Sequence, residues 1–153
     1  KNELLDYCRK SDIAFNWMKA PDQDKPLCFT SWIKEIDQVM AGFDIITLTS
    51  LNEGTPVSLI EAQSAAKPIV STRVGGIEDI VVEDGSALLC GINEQMLFNQ
   101  HLIKLSKDAL KQSAMGKIGQ AHVTEQFSYH RLITDMQSLY LKLIEEKNID
   151  INN

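Results

Sequence analysis

With 153 residues, 44% of them hydrophobic and 24% charged, the chain has the size and balance of one globular domain built on one core. A net charge of −6, from 15 basic and 21 acidic residues without a Lys/Arg cluster, excludes nucleic-acid binding driven by phosphate neutralisation. No apolar run approaches the ~18 residues that span a bilayer and no signal-peptide pattern is present, so a cytoplasmic location is expected.

The chain opens in what reads as the end of a helix, Asn2 to Lys10, and reaches a polar loop, Ala20 to Pro26, held between two prolines. Leu27 to Thr30 follows as a strand. Ser31 to Gly42, with Ile33, Ile36, Val39 and Met40 at helical spacing, predicts a helix stopped by Gly42. Asp44 to Thr49 mixes β-branched and apolar residues over strand length, and a helix is expected from Pro56 to about Ala65. Pro68 forbids its continuation and starts the strand Ile69 to Thr72. After a short strand at Ala87 to Cys90 come three helices, Glu94 to Ser106, Lys107 to about Thr124 and Ser128 to Lys147, and then a frayed tail, Asn148 to Asn153. Leu132, Met136, Leu139 and Leu143 give the last helix an apolar stripe, for which core packing is the expected use.

Such alternation predicts an α/β fold: a Rossmann-like parallel sheet with helices on both faces, followed by C-terminal helices. Ligands of open parallel sheets bind beyond the carboxyl ends of the strands, where Ser50 to Thr55 and Val74-Gly75-Gly76 both fall. Cys8, Cys28 and Cys90 form no C-x-x-C pair and are expected as reduced thiols in or near the core. His101, His122 and His130 lack metal-ligand spacing, and no metal is predicted.

The chemistry concentrates between Ser50 and Glu61. Thr55 can cap the helix and Pro56 suits its first position, where the missing N–H had no partner to lose. The amides of Val57, Ser58 and Leu59 then have no intrahelical acceptor, and the helix dipole adds partial positive charge, so the junction suits a phosphate or pyrophosphate. Gly54 lets the backbone approach a ligand or take a positive φ. Glu53 lies beside that anion in the loop, and Glu61 sits roughly 7–8 Å along the helix, about the reach from a diphosphate to a ribose.

Glu53 and Glu61, eight positions apart, together with the preceding strand, Lys67-Pro68-Ile69-Val70-Ser71-Thr72, Val74-Gly75-Gly76-Ile77 and Phe127-Ser128-Tyr129, resemble the retaining nucleotide-sugar glycosyltransferases of family 4, also called group 1. Four segments in the right order are far more specific than two spaced acids, which alone are ordinary surface residues. The resemblance spans about residues 28 to 145 and is closest to members from bacterial surface-polysaccharide pathways.

The resemblance implies the C-terminal half of a GT-B enzyme, a single donor-binding domain over residues 1–153 that is truncated at its N-terminus. An acceptor-binding domain and the basic residues that clamp the diphosphate would belong to the missing part, so the isolated chain is expected not to transfer sugar. By position, Glu53 would approach the hydroxyls of the transferred sugar as the catalytic residue, Gly54, Thr55, Pro56, Val57 and Ser58 would hold the diphosphate, and Glu61 would bind the ribose. Trp32 in Ser31-Trp32-Ile33 would lie near the base. The partner is a nucleotide-diphosphate sugar, as donor substrate and not cofactor, and the full-length protein is a candidate for peripheral association with a membrane surface. Ala66 stands where the family usually has Gly, and a left-handed helix end there would cost about 1–2 kcal/mol, which leaves a differently shaped ending as the alternative.

Two other classes stay open. A sugar-nucleotide epimerase or hydrolase of the same fold would also set acids beside a diphosphate, and a non-catalytic nucleotide-binding or scaffold domain would keep its partner after loss of both acids.

Overall fold

A computed structural model describes residues 2–17 and 24–147, in two units, Lys1–Ile36 and Asp37–Asn153. The first holds α1 (Asn2–Lys10), β1 (Phe15–Trp17) and β2 (Leu27–Phe29). In α1, Glu3 lies in the first turn and Arg9 and Lys10 in the last, complementing the helix dipole. Asp12, at φ +53°, ends the helix, with the Ile13 N–H donating to Cys8 O at 2.9 Å. β1 and β2 pair in parallel, Asn16 opposite Cys28, and Phe29 packs against both Phe15 and Trp17 with ring centroids 5.5 and 5.3 Å away. β1 went unread in the sequence because three residues carry no periodicity. Residues 20–23 of the expected polar loop lie outside the described residues, as does the expected tail.

The second unit runs α2 (Ile36–Gly42, its first residue at the boundary), β3 (Ile46–Leu48), α3 (Val57–Ser64), β4 (Ile69–Thr72), α4 (Ile77–Ile80), β5 (Ala87–Cys90), α5 (Gln95–Ser106), α6 (Ala109–Gln126) and α7 (Tyr129–Lys147). Its sheet has the order β3-β4-β5, all parallel, with Thr47 opposite Val70 and Ser71 opposite Leu89. Period-two alternation divides the strands between two cores. Ile46, Leu48, Ile69, Ala87 and Leu89 meet Leu59 and Ala62 of α3 and Ile77 and Ile80 of α4. Ile45, Val70 and Leu88 meet Phe98, Leu102 and Leu105 of α5 and Met115 of α6. The expected parallel sheet with helices on both faces is therefore the observed architecture.

Several local expectations are corrected. The helix expected over Ser31 to Gly42 starts only at Ile36, because Ser31 takes φ +58° and a turn from Lys34 O to the Ile36 N–H, 3.0 Å, precedes the first helical residue. Cys28 is exposed, unlike buried Cys8 and Cys90, since it alternates outward between Leu27 and Phe29. The α7 stripe does not pack into a core: no described residue of the helix is buried, and Leu132 and Leu139 are open to solvent.

α3 ends in the left-handed conformation after all. Ala66 has φ +55°, its N–H bonds Gln63 O and the Lys67 N–H bonds Ala62 O, each at 2.9 Å, which is a Schellman ending made without glycine. α6 fixes that ending, for a Cβ at Gly116 would stand 2.0 Å from Ala66 O. Beside it a buried polar network ties three segments: Gln63 Nε2 donates to Ile80 O at 2.7 Å, Ser86 Oγ donates to Gln63 Oε1 at 2.8 Å, and the Val82 N–H donates to Ser86 Oγ at 3.0 Å. Ala66→Gly should raise stability by roughly 0.5–1 kcal/mol, the left-handed penalty of about 1–2 less the extra entropy glycine loses on folding. A urea titration checks this, and an unmoved or lower midpoint would count against a strained ending.

Candidate functional site

Parallel pairing brings the carboxyl ends of β3, β4 and β5 to one edge, and the segments that follow them, 49–56, 73–76 and 91–94, meet there. The first is fastened to the end of β4 and to the second. Thr72 Oγ1, at the end of β4, donates to Ser50 O at 2.7 Å, and the Gly76 N–H donates to Gly54 O at 3.0 Å. Gly75 turns at φ +52°, so close to the loop that a Cβ on it would fall 1.7 Å from Glu53 O. A side chain at 75 is excluded twice, by conformation and by space. Gly75-Gly76 is thus the turn that lets two loops touch.

Within that clamp Glu53 is half-buried, and Ser50 Oγ donates to its Oε1 at 2.5 Å. Gly54 does not use a positive φ, and a Cβ there would meet nothing within 4 Å, so its outer side is open to a ligand. The capping expectation is corrected: Pro56, not Thr55, is the N-cap, extended at φ −73° and ψ 100°, without a side-chain cap. Pro56 O accepts from the Leu59 N–H at 3.0 Å, and the amides of Val57 and Ser58, at an exposed helix start, have no partner among the described residues. Glu61 lies one turn on, half-buried, its carboxylate without a hydrogen bond or ion pair among the described residues. The structure thus groups Glu53, Gly54, Thr55, Pro56, Val57, Ser58 and Glu61 along one loop and helix start. Trp32 belongs to the other unit, 86% exposed and without a ring contact among the described residues.

A cavity of about 390 Å³ opens at the same edge, between Thr49, Leu51, Thr72, Cys90, Glu94 and Phe98. It shares the start of the loop, but none of the residues expected in the site lines it. Burial pushes the Cys90 thiol up from its ordinary range, the Glu94 charge adds to this and Arg73 opposes it.

The basic side chains that flank β4 are committed elsewhere, Lys67 before the strand at its amino end and Arg73 after it at the carboxyl edge. Lys67 Nζ donates to Ala41 O at 3.0 Å, and Arg73 is gripped by Glu78 and by both carboxylate oxygens of Glu83. The Arg73 guanidinium holds the Glu83 carboxyl below its ordinary 4.5, and the two carboxylates raise Arg73 in return. Among the described residues no three His, Cys, Asp or Glu side chains are grouped to hold a metal, and no helix is long and apolar enough to cross a membrane. Sequence reasoning left Ser50 and Thr72 out of the site. A serine three residues before a loop acid was a usable signal, because that spacing allows a side-chain hydrogen bond. Glu83→Gln tests the ion-pair cluster. Since the fold lowers the Glu83 pKa, its contribution is present at neutral pH and lost as pH falls below 4.5, so the variant should be slightly less stable at pH 7 and show a shallower acid limb in melts taken across pH.

A parallel-stranded α/β unit with an open helix start at its carboxyl edge has the architecture of the open α/β sheets, whose ligands bind at that edge. Residues 14–122 match the family model for glycosyl transferases group 1, and the chain belongs to this family. Among curated relatives, an Escherichia coli UDP-Gal:alpha-D-GlcNAc-diphosphoundecaprenol alpha-1,3-galactosyltransferase is 23% identical over 137 residues, 90% of this chain and 35% of its own length. Among solved structures, sucrose-phosphate synthase from Thermosynechococcus elongatus superposes with a TM-score of 0.78 at 18% identity, over 95% of this chain and 34% of that one. Anabaena HepE, crystallised in complex with UDP, gives 0.72 at 20% identity over 94% of this chain and 36% of its own. The fold matches GT-B glycosyltransferases, as the sequence led one to expect, and the chain spans about a third of the length of the first curated relatives it matches.

Proposed function

We propose that this chain is the donor-binding part of a retaining glycosyltransferase, which moves a sugar from a nucleotide sugar to an acceptor in bacterial polysaccharide or glycoconjugate biosynthesis. One observation carries the reading: a clamped loop presents Glu53 and runs directly into the unpaired amides of Val57 and Ser58, with Glu61 on the next turn. Those amides and the helix dipole suit a diphosphate and would stabilise it as it leaves with its charge developed. Gly54, Thr55 and Pro56 give that diphosphate an approach without a bulky side chain. Glu53 would orient the hydroxyls of the transferred sugar, and Glu61 would accept hydrogen bonds from the ribose.

The UDP in the HepE crystal and the UDP-Gal in the name of the E. coli relative support a nucleotide sugar as partner. With Lys67 and Arg73 committed, the cationic clamp would come from sequence outside this chain, as would the acceptor-binding domain. A cytoplasmic location and a peripheral membrane association of the whole protein belong to the same reading.

Calorimetric titration with UDP, GDP, ADP and their sugar conjugates tests it. One nucleotide should bind, and Glu61→Ala should weaken it about ten- to a hundredfold, the worth of hydrogen bonds to a charged group. Unaltered affinity would remove Glu61 from the site. In the longest protein that carries this chain, Glu53→Gln should lower turnover about a hundredfold with nucleotide affinity within twofold. An unchanged rate would refute its role.

A further inference from the structure

Glu53 does not hold itself in place. We infer that Ser50 is a positioning residue for Glu53, fixed by Thr72, so that sugar recognition depends on a hydroxyl that touches no substrate; this rests on the donor reading above. Three observations carry it. Ser50 Oγ donates to Glu53 Oε1 at 2.5 Å, which pins one carboxylate oxygen and leaves Oε2 to accept from a ligand hydroxyl. Thr72 Oγ1, on a residue 7% exposed at the end of the central strand, donates to Ser50 O at 2.7 Å and so ties Ser50 to the buried central strand. The Gly76 N–H donates to Gly54 O at 3.0 Å, and the Gly75 Cα abuts Glu53 O, so the main chain is fixed on both sides of Glu53 as well.

With the backbone held at 50, 53 and 54, the freedom left to Glu53 is in its own torsions, and the Ser50 hydroxyl selects among them. A carboxylate pinned this way loses less rotamer entropy when a sugar hydroxyl arrives. The effect should therefore appear in discrimination between a nucleotide sugar and the bare diphosphate, and not in affinity for the diphosphate, which the amides of Val57 and Ser58 would carry.

The test is the ratio of affinities for each sugar conjugate and its bare diphosphate, over UDP, GDP, ADP and their glucose, galactose and mannose conjugates. Ser50→Ala should lower that ratio about five- to tenfold with the bare diphosphate unchanged, and Ser50→Thr, which restores the hydroxyl, should recover most of it. In a Glu53→Gln background, Ser50→Ala should change the ratio by less than twofold, which a general loosening of the loop would not reproduce. Thr72→Val, which leaves Ser50 and Glu53 in place, should give an intermediate ratio and serves if Ser50→Ala melts early. A ratio that falls in Glu53→Gln but not in Ser50→Ala overturns the positioning role and leaves the donor reading standing. A ratio indifferent to Glu53→Gln, or no conjugate preferred by the unaltered chain, overturns the donor reading and this inference with it.

Discussion

The second unit depends on the burial of β4 from both sides. All four residues of Ile69–Thr72 are buried, its neighbours β3 and β5 take its backbone groups on either hand, and its alternate side chains enter two separate cores. A strand so placed cannot slip by one residue without exchanging Ile69 for Val70 between cores of different shape. Its start is set by the left-handed turn at Ala66 and by Pro68, whose carbonyl accepts from the Ile46 N–H at 3.0 Å. Its end delivers Thr72 to the loop that carries Glu53. The position of the candidate site is therefore inherited from the register of the central strand.

Much of this was legible because particular residues permit little choice. Pro68 and the turn at Asp84 to Ser86 delimit β4 and β5, and both strands occupy the residues read from the sequence. The helix after residue 31 was read too long because apolar spacing continues through Ile33 while the backbone at Ser31 has already left the helical region. Thr55 was read as the cap because proline suits the first helical position, whereas the extended ψ at Pro56 moves the helix start one residue on. For Ala66, side-chain chemistry disfavoured the left-handed turn, and the packing of α6 against its carbonyl imposed it.

What the sequence could not convey is long-range backbone contact. Gly54 and Gly76 are far apart in the chain, and nothing local announces that the carbonyl of one takes the amide of the other. Buried Gln63 is a similar case: it reads as a surface residue of a helix, and its meaning is in Ser86 and Ile80, which only the fold brings to it. In the candidate site, likewise, the acids were visible as a spaced pair, while the serine and threonine that hold the first of them were visible only as neighbours.

The electrostatics follow from the same packing. On a chain of net charge −6, Arg73, the cation that follows β4 at the carboxyl edge, is spent on two carboxylates. Positive potential at the carboxyl edge comes also from the backbone amides at the start of α3, which are acids so weak that they keep their protons, and their partial charge, across the range of pH in which the protein folds. α7 represents the opposite regime. With no described residue buried, its 19 residues are sustained by their own ladder and by pairs such as Arg131 with Asp135, 3.2 Å apart. A helix with so little burial is the part of this unit that opens most readily, so its amides exchange with solvent deuterium long before those of β4.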